Sequence, residues 1–256
     1  MGIEQQIRQR LKDIEHEHSV VVLFAVESGS RAWGFQSTDS DYDIRFIYKH
    51  NLEWYLSIHK KRDVIEYPMD GVFDLSGWDI QKALGLFAKS NPPLLEWLKS
   101  PITYLEEGDF RKDLVGLEKK YFSGKAAILH YLHMASGNYR EYLKGEIVKT
   151  KKYFYVLRPL LACEWIRKNM EFPPMEFEKL ADEILDDKYV KNQVSDLLSR
   201  KRNNEELGEG PSIPTLNRYI EDRLCFYENY ASSLVKNVID GEHLNRLFHL
   251  TIGLKG

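Results

Sequence analysis

The sequence predicts an α+β fold, with a small mixed sheet and its helices first and an all-helical part second. Three observations support this class. An unbroken apolar run over residues 20–26 is typical of a buried strand. A segment that begins near Asp41 alternates charged and apolar side chains, which is typical of a strand with one buried face. From about residue 109 onward, helical spacing of apolar residues replaces the strand patterns.

In the first part, strand and helix signals follow each other closely. Strand patterns cover residues 20–26, 41–48, 62–67, 72–76 and 101–105. Helical spacing or capping residues cover residues 3–17, 52–58, 78–88 and 92–98. The sequence Pro-Met-Asp-Gly at residues 68–71 predicts a hairpin turn between the third and fourth strands.

In the second part, only helices are expected. They cover residues 114–121, 125–144, 150–169, 177–185, 190–202, 214–236 and 242–252. A polar, glycine-bearing stretch at about residues 201–214 predicts a mobile surface loop. We therefore expect two domains, with residues 1–115 carrying the sheet and residues 116–256 forming the helical domain.

Composition narrows the range of partners. The 256 residues carry a formal net charge of −3, so nucleic acid contact must come from a local basic patch. No apolar run approaches the length that spans a membrane. The two cysteines lie far apart in ordinary helical patterns, which favours reduced thiols and a cytoplasmic location. The sequence does not identify a protein partner.

The strand over residues 41–48 begins with two carboxylates, Asp41 and Asp43, on the face opposite its apolar side chains. They lie roughly 7 Å apart along a strand, where like charges raise each other's pKa. Arg45 can neutralise one of them, whereas a divalent cation would neutralise both. Hard carboxylate oxygens suit magnesium or manganese. The alternative is a solvated strand edge, or a carboxylate pair balanced by Arg45.

A third carboxylate, Asp74, lies between apolar residues on a strand that can pair beside the first two. We expect Asp74 to face the same metal site. The alternative is that Asp74 caps the following helix, a role that Asp79 or Ser76 can also fill. Glu66, also flanked by apolar residues, is the second choice for the third ligand. Asp74 is preferred because it lies at a strand end, where functional sites gather.

The Gly29-Ser30 pair forms a turn between a strand and a short helix. Glycine lets the backbone approach a ligand closely, and the N–H groups of a helix start favour phosphate. The Ser30 hydroxyl adds a further donor. Taken alone, the pair also fits a plain turn with no ligand.

The combined motif resembles that of the DNA-polymerase-β-like nucleotidyltransferases. It consists of Gly-Ser, a gap of about ten residues, Asp-x-Asp between apolar residues, and a later Asp between apolar residues. More narrowly, GSRAWGF, SDYDIRFIY, DLSGWDIQKAL and SNPPLLEWL resemble the bacterial and phage group of predicted nucleotidyltransferases called the RNA repair pathway DNA polymerase beta family. The resemblance covers nearly the whole chain, including KKYFYVLRPLLACEWI in the helical part.

This resemblance implies a catalytic nucleotidyltransferase domain followed by a helical substrate-binding domain. Asp41 and Asp43 would bind two magnesium ions, and Asp74 would complete the ion that activates the attacking hydroxyl. The reaction would move a nucleoside monophosphate from a triphosphate such as ATP to a hydroxyl, with pyrophosphate released. Gly29 and Ser30 would hold the β- and γ-phosphates. The acceptor implied by the family is an RNA or DNA end.

Arg31 and Arg45 are further candidates for contact with the triphosphate. The alternative for each is a local salt bridge to Glu27, Asp39 or one of the candidate carboxylates.

A basic segment in the helical part is a second candidate region. Between residues 144 and 168, seven Lys and Arg residues stand against two acids, with aromatic residues among them. We expect Lys151, Lys152 and Arg158 to contact the triphosphate or the acceptor, and Tyr155 to stack on a base. Arg158 also falls on the apolar line of its helix, so it needs an anionic partner. The alternative is a solvated basic face with one structural ion pair.

Two other functions stay open. Some relatives in the superfamily transfer a nucleotide onto a protein hydroxyl, which predicts protein labelling from ATP without RNA. A non-catalytic nucleotide-binding module would keep the fold and bind nucleotide without turnover. The full set of carboxylates disfavours this module.

Overall fold

The computed structural model describes residues 2–203, 207–234 and 240–254. The chain forms two compact units. Unit 1 contains the described residues of Met1–Ala32, Asp41–Phe122 and Val238–Gly256. Unit 2 contains the described residues of Trp33–Ser40 and Ser123–Asn237.

Unit 1 has a sheet of five strands with helices around it. Its strands are β1 (Val21–Glu27), β2 (Tyr42–Lys49), β3 (Val64–Glu66), β4 (Phe73–Asp79) and β5 (Thr103–Glu106). Its helices are α1 (Ile3–His18), α2 (Gly29–Ala32), α3 (Leu52–Tyr55), α4 (Ile80–Phe87), α5 (Pro92–Lys99), α6 (Phe110–Gly116), α7 (Glu118–Tyr121) and α13 (Glu242–Ile252).

The strand order is β3-β4-β2-β1-β5. The central pair β2–β4 is parallel, and the other neighbours are antiparallel. The mixed sheet predicted from the sequence is therefore confirmed. The parallel register places Asp43 opposite Asp74, which decides the layout of the candidate site.

The two faces of β2 differ, as the alternating pattern predicts. Ile44, Phe46 and Tyr48 are buried in a core that also contains Ile7 and Leu11 of α1. Such a face stabilises the sheet by removing apolar surface from water. The carboxylate of Asp43 and the guanidinium of Arg45 belong to the other set of alternating residues.

Helix α4 begins two residues later than the sequence predicts. Trp78 still belongs to β4, where it pairs with Ile47 of β2 and Val64 of β3. Asp79 is the N-cap residue, and its carboxylate accepts a hydrogen bond from the backbone N–H of Gln81 at 2.8 Å. Asp74 therefore does not cap this helix and is available for another role.

The C-terminal helix α13 belongs to unit 1, where it packs against α4 and α6. Leu244 and Leu247 are buried, and the Nζ atom of Lys49 donates to the carbonyl oxygen of Thr251 at 2.6 Å. These units differ from the domain limits expected from the sequence, which placed the C-terminal helix in the second domain. The division at residue 115 stays a prediction.

Unit 2 is mainly helical. Its helices are α8 (Gly124–Tyr142), α9 (Lys152–Asn169), α10 (Phe177–Ile184), α11 (Lys188–Arg202) and α12 (Pro214–Ser233). It also contains a two-stranded antiparallel ribbon of β6 (Ile147–Lys149) and β7 (Glu209–Pro211), which corrects the expectation of an all-helical part. Three-residue strands are too short for an alternating pattern to reveal.

The ribbon also changes the predicted loop at residues 201–214, because α11 extends to Arg202 and β7 lies within the remainder. Residues 204–206 of that loop, and residues 235–236 of the predicted helix 214–236, lie outside the described residues. Within the described ranges, no helix combines the length and apolar character needed to cross a membrane.

Candidate functional site

Asp43 and Asp74 lie side by side at the centre of the unit 1 sheet. They occupy directly paired positions on the parallel strands β2 and β4. Their side chains are 28% and 35% exposed, so both are partly withdrawn from water and still reachable by a ligand. The structure thus brings together two of the three predicted carboxylates.

Arg45 holds this pair. Its Nη2 atom lies 3.2 Å from Asp43 Oδ1 and 2.7 Å from Asp74 Oδ2. Its Nη1 atom donates to the carbonyl oxygens of Ile44 at 3.1 Å and Asp74 at 2.9 Å. The local ion pair considered for Arg45 is therefore present, and a contact between Arg45 and a triphosphate stays a prediction.

The electrostatic balance still disfavours a charged Asp43. Burial raises the pKa of this carboxyl above its ordinary value, the nearby Arg45 lowers it, and Asp74 and Asp41 raise it again. The net direction is upward, so the positive charge of Arg45 does not fully compensate burial and repulsion. An additional positive charge beside the pair would stabilise the ionised form.

Asp41 is placed differently. It lies just before β2 and is exposed, and its backbone carbonyl accepts a hydrogen bond from Arg31 Nε at 3.0 Å. Within residues 2–203, 207–234 and 240–254, no group of three or more His, Cys, Asp and Glu side chains is arranged to hold a metal ion. Asp41 is nevertheless near enough for its charge to raise the pKa of Asp43, and its part in a metal site with Asp43 and Asp74 stays a prediction.

The donor chemistry of the Asp43–Asp74 pair fits a hard divalent cation. Two partly buried carboxylates on adjacent strands supply the oxygen ligands that magnesium or manganese prefers. The alternative third ligand, Glu66, is exposed on β3 opposite Ser76 and pairs with Arg62 at 2.5 Å. Asp74 rather than Glu66 is thus the neighbour of Asp43.

The turn after β1 is fitted to Asp43. Gly29 has a φ angle of +59°, and a Cβ atom at this position would overlap Asp43 Oδ2. Only glycine accepts both the left-handed backbone and this close approach. The N–H of Ser28 donates to the Asp43 carbonyl at 2.9 Å, and Ser30 is buried in the one-turn helix α2.

Glu27, which the sequence indicated only as a partner for Arg31, positions Asp43. It is fully buried at the end of β1, where its carboxylate accepts hydrogen bonds from the backbone N–H of Asp43 at 2.7 Å and from the hydroxyl of Tyr104. Burial raises the pKa of Glu27 above its ordinary value. An acid that ends an unbroken apolar run is the signal that points to such a role. Its partners depend on strand register, which the run does not reveal.

Arg31 lies beside the start of β2. In addition to its bond to the Asp41 carbonyl, its guanidinium carbon lies 3.7 Å from the centre of the Tyr42 ring. This cation–π contact orients Arg31 at the edge of the site. Its predicted contact with a triphosphate stays a prediction.

The predicted residues of the basic segment all lie in unit 2. Lys151 is exposed and directly precedes α9, and the Lys152 Nζ atom lies 4.2 Å from the ring centre of Tyr142 and 5.0 Å from that of Tyr155. Burial and the charge of Lys151 lower the pKa of Lys152, the charge of Glu141 raises it, and the charge of Lys149 lowers it again, with a net decrease. Several ammonium groups are thus close together, an arrangement that favours an anion.

Lys201, at the end of α11, joins this group without any local sequence signal. Burial lowers its pKa, and the charge of Lys151 contributes in the same direction. The two lysines are fifty residues apart in the chain, so only the helix packing within unit 2 relates them. Lys201 is therefore a further candidate anion contact that sequence reasoning missed.

Arg158 is buried, as its place on the apolar line of α9 predicts. It is 1% exposed, its guanidinium carbon lies 4.4 Å from the Trp33 ring centre, and its Nη2 atom lies 3.7 Å from Met175 Sδ. These contacts give Arg158 a packing role within unit 2. A contact with phosphate stays a prediction.

Comparison with known proteins assigns the chain to a family. Residues 3–250 match the RNA repair pathway DNA polymerase beta family. The chain is 46% identical over 251 residues to "Uncharacterized protein YcgL" of Bacillus subtilis (strain 168), covering 98% of this chain and 96% of that protein.

A crystal structure of a nucleotidyltransferase-like protein from Exiguobacterium sibiricum 255-15 aligns with 98% of this chain and 79% of that one. The TM-score of this alignment is 0.33, and the sequence identity is 13%. The family match, by contrast, spans nearly the whole chain and agrees with the motif around Gly29, Asp43 and Asp74. The protein therefore belongs to the RNA repair pathway DNA polymerase beta family, within the DNA-polymerase-β-like nucleotidyltransferases.

Proposed function

We propose that the protein is a metal-dependent nucleotidyltransferase. It would transfer a nucleoside monophosphate from a triphosphate such as ATP to a hydroxyl acceptor and release pyrophosphate. The observation that supports this most directly is the pairing of Asp43 and Asp74 on adjacent parallel strands, beside a glycine turn with no room for a side chain. Family membership supports the same reaction class.

Asp41 and Asp43 would hold two magnesium or manganese ions, and Asp74 would complete the ion that activates the attacking hydroxyl. Two ions so held would neutralise charge on the entering and leaving oxygens of the in-line displacement. Glu27 fixes the backbone of Asp43 through its N–H. Arg45, already paired with both carboxylates, keeps them together and limits their repulsion when no other cation is present.

Other residues would bind and orient the triphosphate. Gly29 and Ser30 are assigned to its β- and γ-phosphates, and Arg31 lies next to this turn in the sequence. Most of the rate acceleration would come from positioning and charge neutralisation rather than from a covalent intermediate.

The acceptor is proposed to be the hydroxyl of an RNA or DNA end. The family description and the lysine group of unit 2 support this choice, because lysines near aromatic rings suit a nucleic acid strand. Lys151, Lys152, Tyr155 and Arg158 are the residues proposed for contact with the acceptor or the triphosphate.

The reaction is tested by incubating the protein with each α-labelled triphosphate, magnesium or manganese, and pooled RNA, DNA and protein. We expect label to enter nucleic acid with the wild-type protein and not with Asp43→Asn. Label in protein alone would identify a protein hydroxyl as the acceptor. Metal-dependent binding of a triphosphate without any transfer would instead identify a non-catalytic binding module.

A further inference from the structure

A separate cavity opens in unit 1 towards the other end of β2. Its volume is about 460 Å³, and five rings line it: His18, Tyr48, His50, Trp54 and Tyr67. Tyr48 is five residues beyond Asp43, a distance of about 17 Å along a strand. The cavity is therefore distinct from the carboxylate pair, and its size is within the range of ligand-binding pockets.

The rings form flat walls. His50 and Trp54 are stacked with their centres 4.0 Å apart and their planes within 7°. Tyr48 meets His50 edge-on at 5.5 Å, and Tyr67 meets His18 edge-on at 6.0 Å. Burial and the charge of Lys61 lower the pKa of His50 to about 4, so this ring is neutral at pH 7. Flat, neutral walls suit a planar aromatic ligand.

Positive charge lies beside the rings. Residues 59–62 read His-Lys-Lys-Arg and are exposed, and the Nζ atom of Lys61 lies 5.2 Å from the Trp54 ring centre. The acids of the lining already have partners, because Glu66 pairs with Arg62 and Glu17 accepts the Tyr67 hydroxyl. Lys61 is thus placed to meet a phosphate attached to a ring that sits against Trp54.

We propose that this cavity is a second nucleotide-binding site. The base lies against the His50–Trp54 stack, and the phosphate lies near Lys61. The ligand is a free nucleotide or a nucleotide within a single strand, since both present the same base and phosphate. The site does not depend on the transfer reaction, because no residue of the carboxylate pair lines it.

Calorimetric titration of the full-length protein in EDTA tests the proposal, with adenosine, AMP and an eight-nucleotide oligoadenylate as probes. We expect AMP or the oligonucleotide to bind, and adenosine to bind more weakly. Trp54→Ala should weaken binding about tenfold, since it removes a stacking surface. Lys61→Ala should weaken the binding of AMP about fivefold and leave that of adenosine unchanged, because it removes a positive charge beside the phosphate.

Two matched variants distinguish binding in this cavity from binding elsewhere on the protein. Ile58 lies between Trp54 and Lys61 in the sequence, is 93% exposed and does not line the cavity. Ile58→Ala should therefore bind the probes like the wild type. Asp43→Asn should also bind like the wild type. Binding of AMP but not the oligonucleotide would assign a free nucleotide, and the reverse would assign a nucleotide within a strand.

The proposal is overturned if neither AMP nor the oligonucleotide binds, or if adenosine binds as tightly as AMP. It is also overturned if Asp43→Asn abolishes binding, which would place the nucleotide at the carboxylate pair. Wild-type affinity of a folded Trp54→Ala variant would likewise exclude stacking of the base on this ring. None of these results bears on nucleotidyl transfer, which is measured separately.

Discussion

Gly29 and Asp43 depend on each other at the centre of the candidate site. The carboxylate of Asp43 occupies the space that a side chain at position 29 would need. The same residue has a positive φ angle, which adds backbone strain to any substitution. The glycine is therefore required by the position of a candidate catalytic side chain as well as by the turn.

We predict that Gly29→Ala lowers the free energy of unfolding by about 1–3 kcal/mol, because it combines strain with displacement of Asp43. Nucleotidyl transfer should be lost with it. Gly85→Ala is the matched control, because Gly85 is exposed within α4 and a Cβ atom there meets nothing within 4 Å. This control should be neutral or more stable by roughly 1 kcal/mol. Urea unfolding checks both, and equal stability of the two variants would contradict the close approach.

The sequence motifs predict that Gly29, Asp43 and Asp74 lie together in unit 1. They do not predict the hydrogen bonds and ion pairs that hold these residues in place. Asp43, Asp74 and Gly29 stand in recognisable motifs, and the structure brings them together. Glu27 and its donor Tyr104 are 77 residues apart, so their pairing follows from β1–β5 register and not from local pattern. The position of Arg45 between two carboxylates likewise requires the β2–β4 register.

At the scale of elements, β1 and β5 are joined through a buried carboxylate. The hydroxyl of Tyr104 on β5 and the N–H of Asp43 on β2 both donate to Glu27 on β1. A buried carboxylate without enough hydrogen-bond donors destabilises the folded protein. Through its two donors, Glu27 therefore links β1, β2 and β5.

We predict that Tyr104→Phe lowers the free energy of unfolding by about 1–3 kcal/mol, because Glu27 keeps its burial and loses a donor. Tyr189→Phe is the control, since Tyr189 is 79% exposed. Its effect should stay within about 0.5 kcal/mol. A Tyr104→Phe variant as stable as the wild type would mean that Glu27 does not need this donor.

His50, which directly follows β2, makes the folding stability depend on pH. His50 has a pKa lowered from 6.5 to about 4, chiefly by burial. Between these values the unfolded chain binds a proton that the folded chain does not, so stability falls as pH falls from 6.5 towards 4. The pKa of Asp79 is raised from 3.8 to about 6, so protonation of this carboxyl makes the folded protein more stable as the pH falls. A variant that changes only His50 keeps this contribution of Asp79.

His50→Phe keeps a ring against Trp54 and removes this proton uptake. We therefore expect the variant to lose less stability than the wild type between pH 6.5 and pH 4, in unfolding curves measured at each pH. Parallel losses in the two proteins would contradict a neutral, buried His50.

Element signals in the sequence differ in reliability for physical reasons. Helix starts with a capping residue are predicted well, as with Asn51, whose side chain accepts from the N–H of Trp54. The β6–β7 ribbon is missed, because its strands are short and its partner segments lie some sixty residues apart. Strand pairing of this kind depends on packing within unit 2 rather than on local propensity.

At the scale of the whole molecule, the chain order and the compact units do not coincide. The chain leaves unit 1 after Ala32 and returns at Asp41. It leaves again after Phe122 and returns before α13. A prediction from local pattern assigns consecutive residues to one domain. The return of a terminal helix requires knowledge of which apolar faces remain uncovered.

Helix α13 should therefore stabilise unit 1. We predict that Leu244→Ala lowers the free energy of unfolding by about 2–4 kcal/mol, because Leu244 is buried. Leu250→Ala, in the same helix at a position that is 66% exposed, should change it by less than about 0.5 kcal/mol. Equal effects of the two substitutions in thermal or urea unfolding would show that α13 does not pack as described.

The proposed function depends above all on Asp43 and Asp74 acting together in nucleotidyl transfer. This is tested by the rate of pyrophosphate release from a triphosphate, with magnesium and an acceptor that incorporates label, in the wild type, Asp74→Asn and Glu66→Gln. We predict that Asp74→Asn slows release by about a hundredfold or more, equivalent to roughly 2.7 kcal/mol in the barrier, and that Glu66→Gln keeps the wild-type rate. An active Asp74→Asn variant together with an inactive Glu66→Gln variant would contradict the assignment of Asp74 to the catalytic pair.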